Sequence, residues 1–282
     1  MDNNSESKKQ IRAAISLFVI FILIITGCTA TKLANDNKIS VKEIGNGQGR
    51  EGNAQESAVI AFTFDDGCIT DYLLAYPILK KYAIKGTSYI ISSYLDKKST
   101  SRITWDMVKE MMAYGWVFGD HTYSHKDLET MSTEQIRQSM EAVDASFARQ
   151  GLRPPAVAAY PYGSYDQRVI EAMKPYRKQI RKAYYQNKFV DLNHVKPYEI
   201  DSISADMETE SQLLTREAIV DRAVKEKAVV VFRAHSMFRE VKYDTGNFQI
   251  QTDSRLFEEF VQYCVEKGCR FITMEELMRM YS

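Results

Sequence analysis

Apolar positions fall into two kinds of run along this chain. Some are short, with little alternation: Ala58–Phe62 (AVIAF), Thr87–Ser92 (TSYIIS), Trp116–Gly119, Ala156–Tyr160, Ala228–Phe232 (AVVVF) and Arg270–Ile272. Such runs suit strands covered on both faces, as in a parallel sheet. Others recur at helical spacing, over Tyr72–Tyr82, Trp105–Tyr114, Thr133–Ala148 and Arg255–Glu266. In the third of these, Ile136, Met140, Val143 and Phe147 line one face. Helix ends are signalled too. Thr104 precedes a helix that Gly115 ends, Ser132 with Gln135 makes a capping-box pattern, Gly268 ends the Arg255 helix, and Thr273 opens a terminal one. Pro77 marks a helix start or a kink. The order strand–helix–strand predicts an α/β chain with a parallel sheet. At 282 residues it is long enough for a single α/β barrel.

The first 57 residues read differently. Lys8, Lys9 and Arg12 precede an apolar run, Ala13–Ile25, that is shorter than the ~20 residues a bilayer span needs. The run leads into Ile25-Thr26-Gly27-Cys28, which resembles the lipobox of prokaryotic lipoproteins. Residues 1–27 are therefore expected to be a lipoprotein signal peptide, with Cys28 the lipidated N-terminus. Residues 28–57 are polar and read as a flexible tether, and 58–282 as the folded domain. This places the domain on the extracytoplasmic face of the membrane. Lys+Arg and Asp+Glu both number 37, so no net field recruits nucleic acid.

The chemistry gathers at strand ends. Ala58–Phe62 runs into Thr63-Phe64-Asp65-Asp66-Gly67. Two adjacent carboxylates at the end of a buried strand are costly unless a cation meets them. A solvated Asp-Asp-Gly turn is the competing reading from these ten residues alone. Straight after the run Trp116–Gly119 come Asp120-His121-Thr122-Tyr123-Ser124-His125, which hold two of the chain's four histidines. At a spacing of four, both imidazoles can reach one ion, and with a carboxylate they make a three-donor set with open positions. Two further strands end in Pro161-Tyr162-Gly163 and in Arg233-Ala234-His235.

TFDDG (Thr63–Gly67) followed by HTYSH (His121–His125) resembles the first two motifs of the polysaccharide deacetylases, carbohydrate esterase family 4. ITWDMVKEMMAYGW before the histidine pair and SHKDLETMS after it are similar as well, and the resemblance runs from about Ala58 to the C-terminus. It implies an irregular (β/α) barrel of about seven strands. It also implies a divalent metal, most simply zinc, on Asp66, His121 and His125, with Asp65 as general base and His235 as general acid. Tyr162 with Pro161 would form the oxyanion and substrate-binding turn. The implied activity is removal of N-acetyl groups from an extracytoplasmic N-acetylglucosamine-containing glycan, of peptidoglycan or poly-N-acetylglucosamine type. Two alternatives compete, an O-acetyl esterase acting on a xylan-like glycan and a catalytically weak glycan-binding lipoprotein.

Several positions depart from the family pattern. Aligning Ala159-Tyr160-Pro161-Tyr162-Gly163 with the third motif puts Ala159 where the family carries an arginine beside the base, and Arg233 is the candidate substitute. Arg153-Pro154-Pro155 looks similar to that motif but precedes its strand. The basic stretch Arg177–Lys188 reads as a solvated helix face. Asp201 lies where a fourth motif is expected, and Asp244–Asp253 reads as a loop. Cys68 reads as a packing residue. Cys264 and Cys269 flank a helix end, where an oxidising compartment permits a disulfide.

Overall fold

A computed structural model describes residues 57–183, 188–239 and 251–282. The segment expected to be a signal peptide (1–27), Cys28 and nearly all of the expected tether (28–57) lie outside the described residues.

The strands are β1 (Val59–Asp66), β2 (Thr87–Ile90), β3 (Val117–Asp120), β4 (Val157–Ala159), β5 (Gln179–Arg181), β6 (Ile203–Ser204), β7 (Val229–Ala234), β8 (Ser236–Phe238), β9 (Gln251–Asp253) and β10 (Arg270–Phe271). The helices are α1 (Tyr76–Lys81), α2 (Ser92–Asp96), α3 (Trp105–Tyr114), α4 (Thr133–Arg149), α5 (Gln167–Met173), α6 (Glu210–Glu226), α7 (Ser254–Glu266) and α8 (Met274–Arg279). A π-helical turn, Asp71–Ala75, leads into α1, with Pro77 in the first turn of that helix.

Seven strands pair in the order β5-β4-β3-β2-β1-β7-β6, every pair parallel. The segment holding β6 touches both ends of this path. Ile200 bridges Arg181 of β5, while Ile203 and Ser204 pair with Phe232 and Arg233 of β7. The ring thus closes through a single short segment, which makes it the irregular barrel of seven strands that the motifs implied. β10 pairs with the first residues of β1, and β8 and β9 form a separate two-stranded parallel sheet.

Strand alternation sorts the side chains. Val59 and Ala61 of β1 join Tyr89, Val157, Ala159, Val229 and Val231 in the barrel interior, where Met274 and Leu277 of α8 also pack. The intervening Ile60, Phe62 and Phe64 pack outward in the cluster that holds Phe257 and Phe260 of α7. Continuing the alternation, Thr63 and Asp65 share the inward face. The apolar runs therefore lack alternation because both faces of each strand are covered.

The expected helix ends are in place. Thr104 Oγ1 accepts from Met107 N, and Gly115 takes the left-handed conformation with φ 107°. Ser132 and Gln135 exchange both bonds of a capping box. Thr273 caps α8 in the same way with Glu276. Helix α6, opened by a Thr209–Gln212 capping box, was not anticipated from the sequence pattern.

Two expectations are corrected. Within the basic stretch, 179–181 form strand β5 and not a helix, and Arg177 and Arg181 are fully buried. Two of its five basic residues, Arg177 and Arg181, meet the buried carboxylates Asp120 and Asp65, while Lys178 and Lys188 are exposed. The end of the expected loop 244–253 is strand β9, the rest lying outside the described residues. Cys68, Cys264 and Cys269 are buried free thiols, with Cys269 N donating to Cys264 O at 3.1 Å.

Candidate active site

All the chemistry anticipated at strand ends meets at the carboxyl end of the barrel. Asp65 and Asp66 end β1, His121 follows β3, Pro161–Gly163 follows β4 and His235 follows β7. Parallel strands all point the same way, so motifs distant in sequence converge at one mouth.

Asp66 ends the alternation of β1 with φ 75°. Its Oδ1 lies 3.5 Å from His121 Nε2 and 3.4 Å from His125 Nε2. His121 Nδ1 lies 2.9 Å from the carbonyl oxygen of Ala159. A carbonyl only accepts, so Nδ1 carries the proton and Nε2 presents a lone pair toward Asp66. The histidine loop is held from beneath. Thr122 N donates to Asp120 Oδ1 at 2.6 Å, and His125 N donates to Thr122 Oγ1 at 2.9 Å. Asp120 is in turn paired with Arg177 Nε at 2.8 Å, and Arg177 Nη2 reaches Asp144 at 2.8 Å.

These donors fit a divalent cation. One ligand atom each from Asp66, His121 and His125 lies within 4.8 Å of the others. Both carboxylate oxygens of Asp66 are buried and have no hydrogen-bond partner among the described residues. Burial pushes the Asp66 carboxyl up and holds both imidazoles down to about 4, so the histidines are neutral at ordinary pH and their lone pairs are available. Such an arrangement is expensive as a bare protein cluster and suited to a Lewis acid.

Asp65 faces inward and is 3% exposed. Its partner is Arg181, whose Nη2 lies 2.6 Å from both Oδ1 and Oδ2. Burial raises the Asp65 pKa, but Arg181, with smaller help from His121, His235 and Arg233, outweighs it and holds the carboxyl well below the usual range. The cation that meets this carboxylate therefore comes from β5, and Arg233, named from the sequence, is a more distant contributor.

His235 Nε2 lies 4.0 Å from Asp65 Oδ2. Its Nδ1 is 3.0 Å from Asp206 Oδ2, and its main-chain N donates to Asp206 Oδ1 at 2.8 Å. Burial alone would lower the imidazole pKa, but Asp206 reverses this and pushes it up to about 9. Asp206 also accepts from Ser204 and Thr252. The fourth-motif reading of Asp201 is thus displaced. Asp201 pairs with Lys182 at 3.1 Å, outside this cluster, and Asp206 is the carboxylate that reaches the site. The strand-end signal could have found it, since Asp206 follows β6 whereas Asp201 precedes it. No comparable signal marks Arg181.

The Pro161–Gly163 turn lies against the histidines. The Tyr162 ring is 4.6 Å from that of His125 at an angle of 62°, and Tyr162 is 68% exposed. Seven described non-glycine residues have positive φ, and four belong here: Asp66, Thr122, His125 and Tyr162. Such conformations cost free energy, and their concentration marks a place where geometry outweighs local comfort. His194 is exposed, paired with Asp191 at the surface, and takes no part.

A family model described as polysaccharide deacetylase matches residues 52–179. Among curated proteins, YxkH of Bacillus subtilis, assigned by name to the polysaccharide deacetylases, is 30% identical over 113 residues, covering 40% of this chain and 40% of that protein. A poly-beta-1,6-N-acetyl-D-glucosamine N-deacetylase of Staphylococcus aureus is 29% identical over 125 residues, covering 39% of this chain and 42% of that one. The match thus spans less than half the length of either relative. The chitin deacetylase structure from Colletotrichum lindemuthianum superposes with a TM-score of 0.56 at 21% identity, covering 78% of this chain and 87% of that one, which shows the shared fold. With the strand-end motifs and the barrel in agreement, the match to the polysaccharide deacetylase family covers residues 52–179, just under half of the chain.

Proposed function

We propose that this protein is a metal-dependent hydrolase that removes N-acetyl groups from an N-acetylglucosamine-containing glycan outside the cytoplasm, of the peptidoglycan or poly-N-acetylglucosamine type. One observation carries the reading. A carboxylate and an imidazole with raised proton affinity stand 4.0 Å apart, directly beside a three-donor cluster suited to a cation. That is a base, an acid and an electrophile holder at one mouth.

Asp66, His121 and His125 would hold a divalent ion of the zinc class, which when bound polarises the acetamide carbonyl and acidifies a water molecule. Asp65, held ionised by Arg181, accepts the proton of the water that attacks the acetamide carbon. The main-chain N–H at Tyr162 is the candidate donor to the oxygen that gains charge. His235 enters protonated and gives the Nε2 proton to the nitrogen as the C–N bond breaks. Acetic acid, which ionises to acetate in solution, and a free amino sugar leave, the base has gained one proton, and the acid has lost one. Asp206 keeps the imidazole oriented through Nδ1.

The lipobox-like Cys28 supports a lipid anchor and an extracytoplasmic site of action, where acetylated cell-surface glycans are found. The test is acetate release by the zinc-loaded protein from chitooligosaccharides, poly-N-acetylglucosamine and peptidoglycan, with acetylated xylan alongside. Release from the amide substrates is expected. Release from xylan alone would make it an O-acetyl esterase, and binding without release from any of them would leave a glycan-binding protein. Asp65→Asn should keep the metal and lose turnover.

A further inference from the structure

The barrel interior around Asp65 is filled unevenly. Asp65, Tyr89 and Gly119 are register neighbours across β1, β2 and β3, and Ala159 and Arg181 are register neighbours across β4 and β5. In-register neighbours on parallel strands project to the same face, so all five positions look inward. Three carry large or charged side chains, and two carry almost nothing. Gly119 is closed to any side chain while Tyr89 stays in place, because a Cβ there would sit 2.5 Å from Tyr89 Cδ1. Ala159 is fully buried and contributes a single methyl group.

The space left is the path that Arg181 uses. Its guanidinium carbon lies 5.1 Å from the centre of the Tyr89 ring, its Nη1 donates to Ser202 Oγ at 3.2 Å, and its Nη2 reaches both oxygens of Asp65. A ring face, a hydroxyl and a carboxylate fix the planar cation on three sides. The Ala159 carbonyl meanwhile holds His121, so that residue serves the metal cluster by its main chain and makes room by its side chain.

We propose that Arg181 is the positioning residue of the base Asp65, acting from β5 because Ala159 beside it leaves the interior open. An arginine at either of these register-paired positions would then serve the same carboxylate. The proposal rests on Asp65 being the base of the reaction above. Arg181 itself touches no substrate. It holds the carboxylate in one plane and keeps it turned inward, next to the three-donor cluster but not part of it.

The experiment compares zinc-loaded wild type, Arg181→Ala, Arg181→Lys and the double variant Ala159→Arg/Arg181→Ala. For each, metal per chain, kcat and KM on chitooligosaccharides are measured. Metal content should be unchanged. In Arg181→Ala kcat should fall roughly 100-fold with KM within about twofold, the pattern of a misplaced reacting group. Added guanidinium should restore part of that loss, and Arg181→Lys should lie between. The double variant, with its arginine returned to β4, should recover at least about tenfold over Arg181→Ala. Wild-type kcat in metal-loaded Arg181→Ala would overturn the proposal, and so would a double variant no better than Arg181→Ala. A double-mutant cycle in urea on Asp65→Asn and Arg181→Ala reads the pair without any reaction. Non-additive stabilities are expected, and additive ones would refute the pairing. If wild type released no acetate from any substrate, the proposed reaction would fail while this cycle still decided whether Arg181 holds Asp65.

Discussion

His235 owes its proton affinity first to Asp206, with smaller help from Asp65 and Asp66. The imidazole is half-buried, and its desolvation by itself disfavours the charged form, yet the Asp206 carboxylate 3.0 Å from Nδ1 is the first of the groups that bring its pKa up to about 9 from an ordinary 6.5. The charged form is therefore present below about pH 9 and lost as the pH rises through it. A leaving amine needs that proton, so the alkaline limb of kcat should fall near pH 9. Asp206→Asn keeps the shape and hydrogen-bonding reach of the side chain but removes the charge. The alkaline limb should then move toward the value of an ordinary histidine, ~6.5, with the metal retained. A kcat profile from pH 5 to 10 checks this, and an unmoved limb would mean that His235 is not the acid. In stability the same pair works from both sides. The His235 contribution is complete below ~6.5 and fades as the pH climbs through about 9, while that of Asp206, whose pKa is lowered, fades in acid.

At the scale of elements, what could be read from the chain depended on whether a segment carried its own signal. Strands β1 and β7 are unbroken apolar runs, and α3, α4 and α8 have side-chain caps at the residues their sequences suggest. Those signals are local, so they survive without tertiary knowledge. Strand β5 has only Ile180 as an outward apolar residue, because Gln179 and Arg181 face a polar part of the interior. A basic run of that kind looks solvated until Asp65 and Asp120 are known to stand opposite it. Strand β6 is two residues long, and it was this brevity that hid Asp206 behind Asp201. The caps permit a direct check. Thr273 Oγ1 accepts from Glu276 N, and the Glu276 carboxylate accepts two bonds from Thr273, fixing the start of α8 at the amino end of the barrel, where Met274 N also donates to Thr87 Oγ1. Thr273→Ala should cost ~1 kcal/mol in a urea titration. Because α8 packs at the opposite end from the carboxylates and histidines, kcat and KM should not change.

The whole barrel is what brings the working groups together. The matched family segment ends at residue 179, so it includes Asp65, Asp66, His121, His125 and Tyr162 but stops short of Arg181, Asp206 and His235. The three-donor cluster belongs to β1 and the loop after β3, whereas His235 and Asp206 come from β7 and the segment after β6, the one that closes the ring. No stretch of chain holds a working site alone. A donor set split between two strands exists only when the sheet is formed, so an ion that binds it binds the native state and not the unfolded chain. Zinc at about 100 times its dissociation constant should therefore raise the unfolding free energy by roughly 2.7 kcal/mol. A chelator should reverse the gain. His121→Ala should abolish both the stoichiometric metal and the stabilisation, since one of three donors is gone and the Asp66 carboxylate loses a neighbour at 3.5 Å. Asp206→Asn lies outside the donor set and should keep both. Thermal melts of the three proteins with and without zinc separate these outcomes. A full zinc-dependent shift in His121→Ala would mean that the ion is held elsewhere.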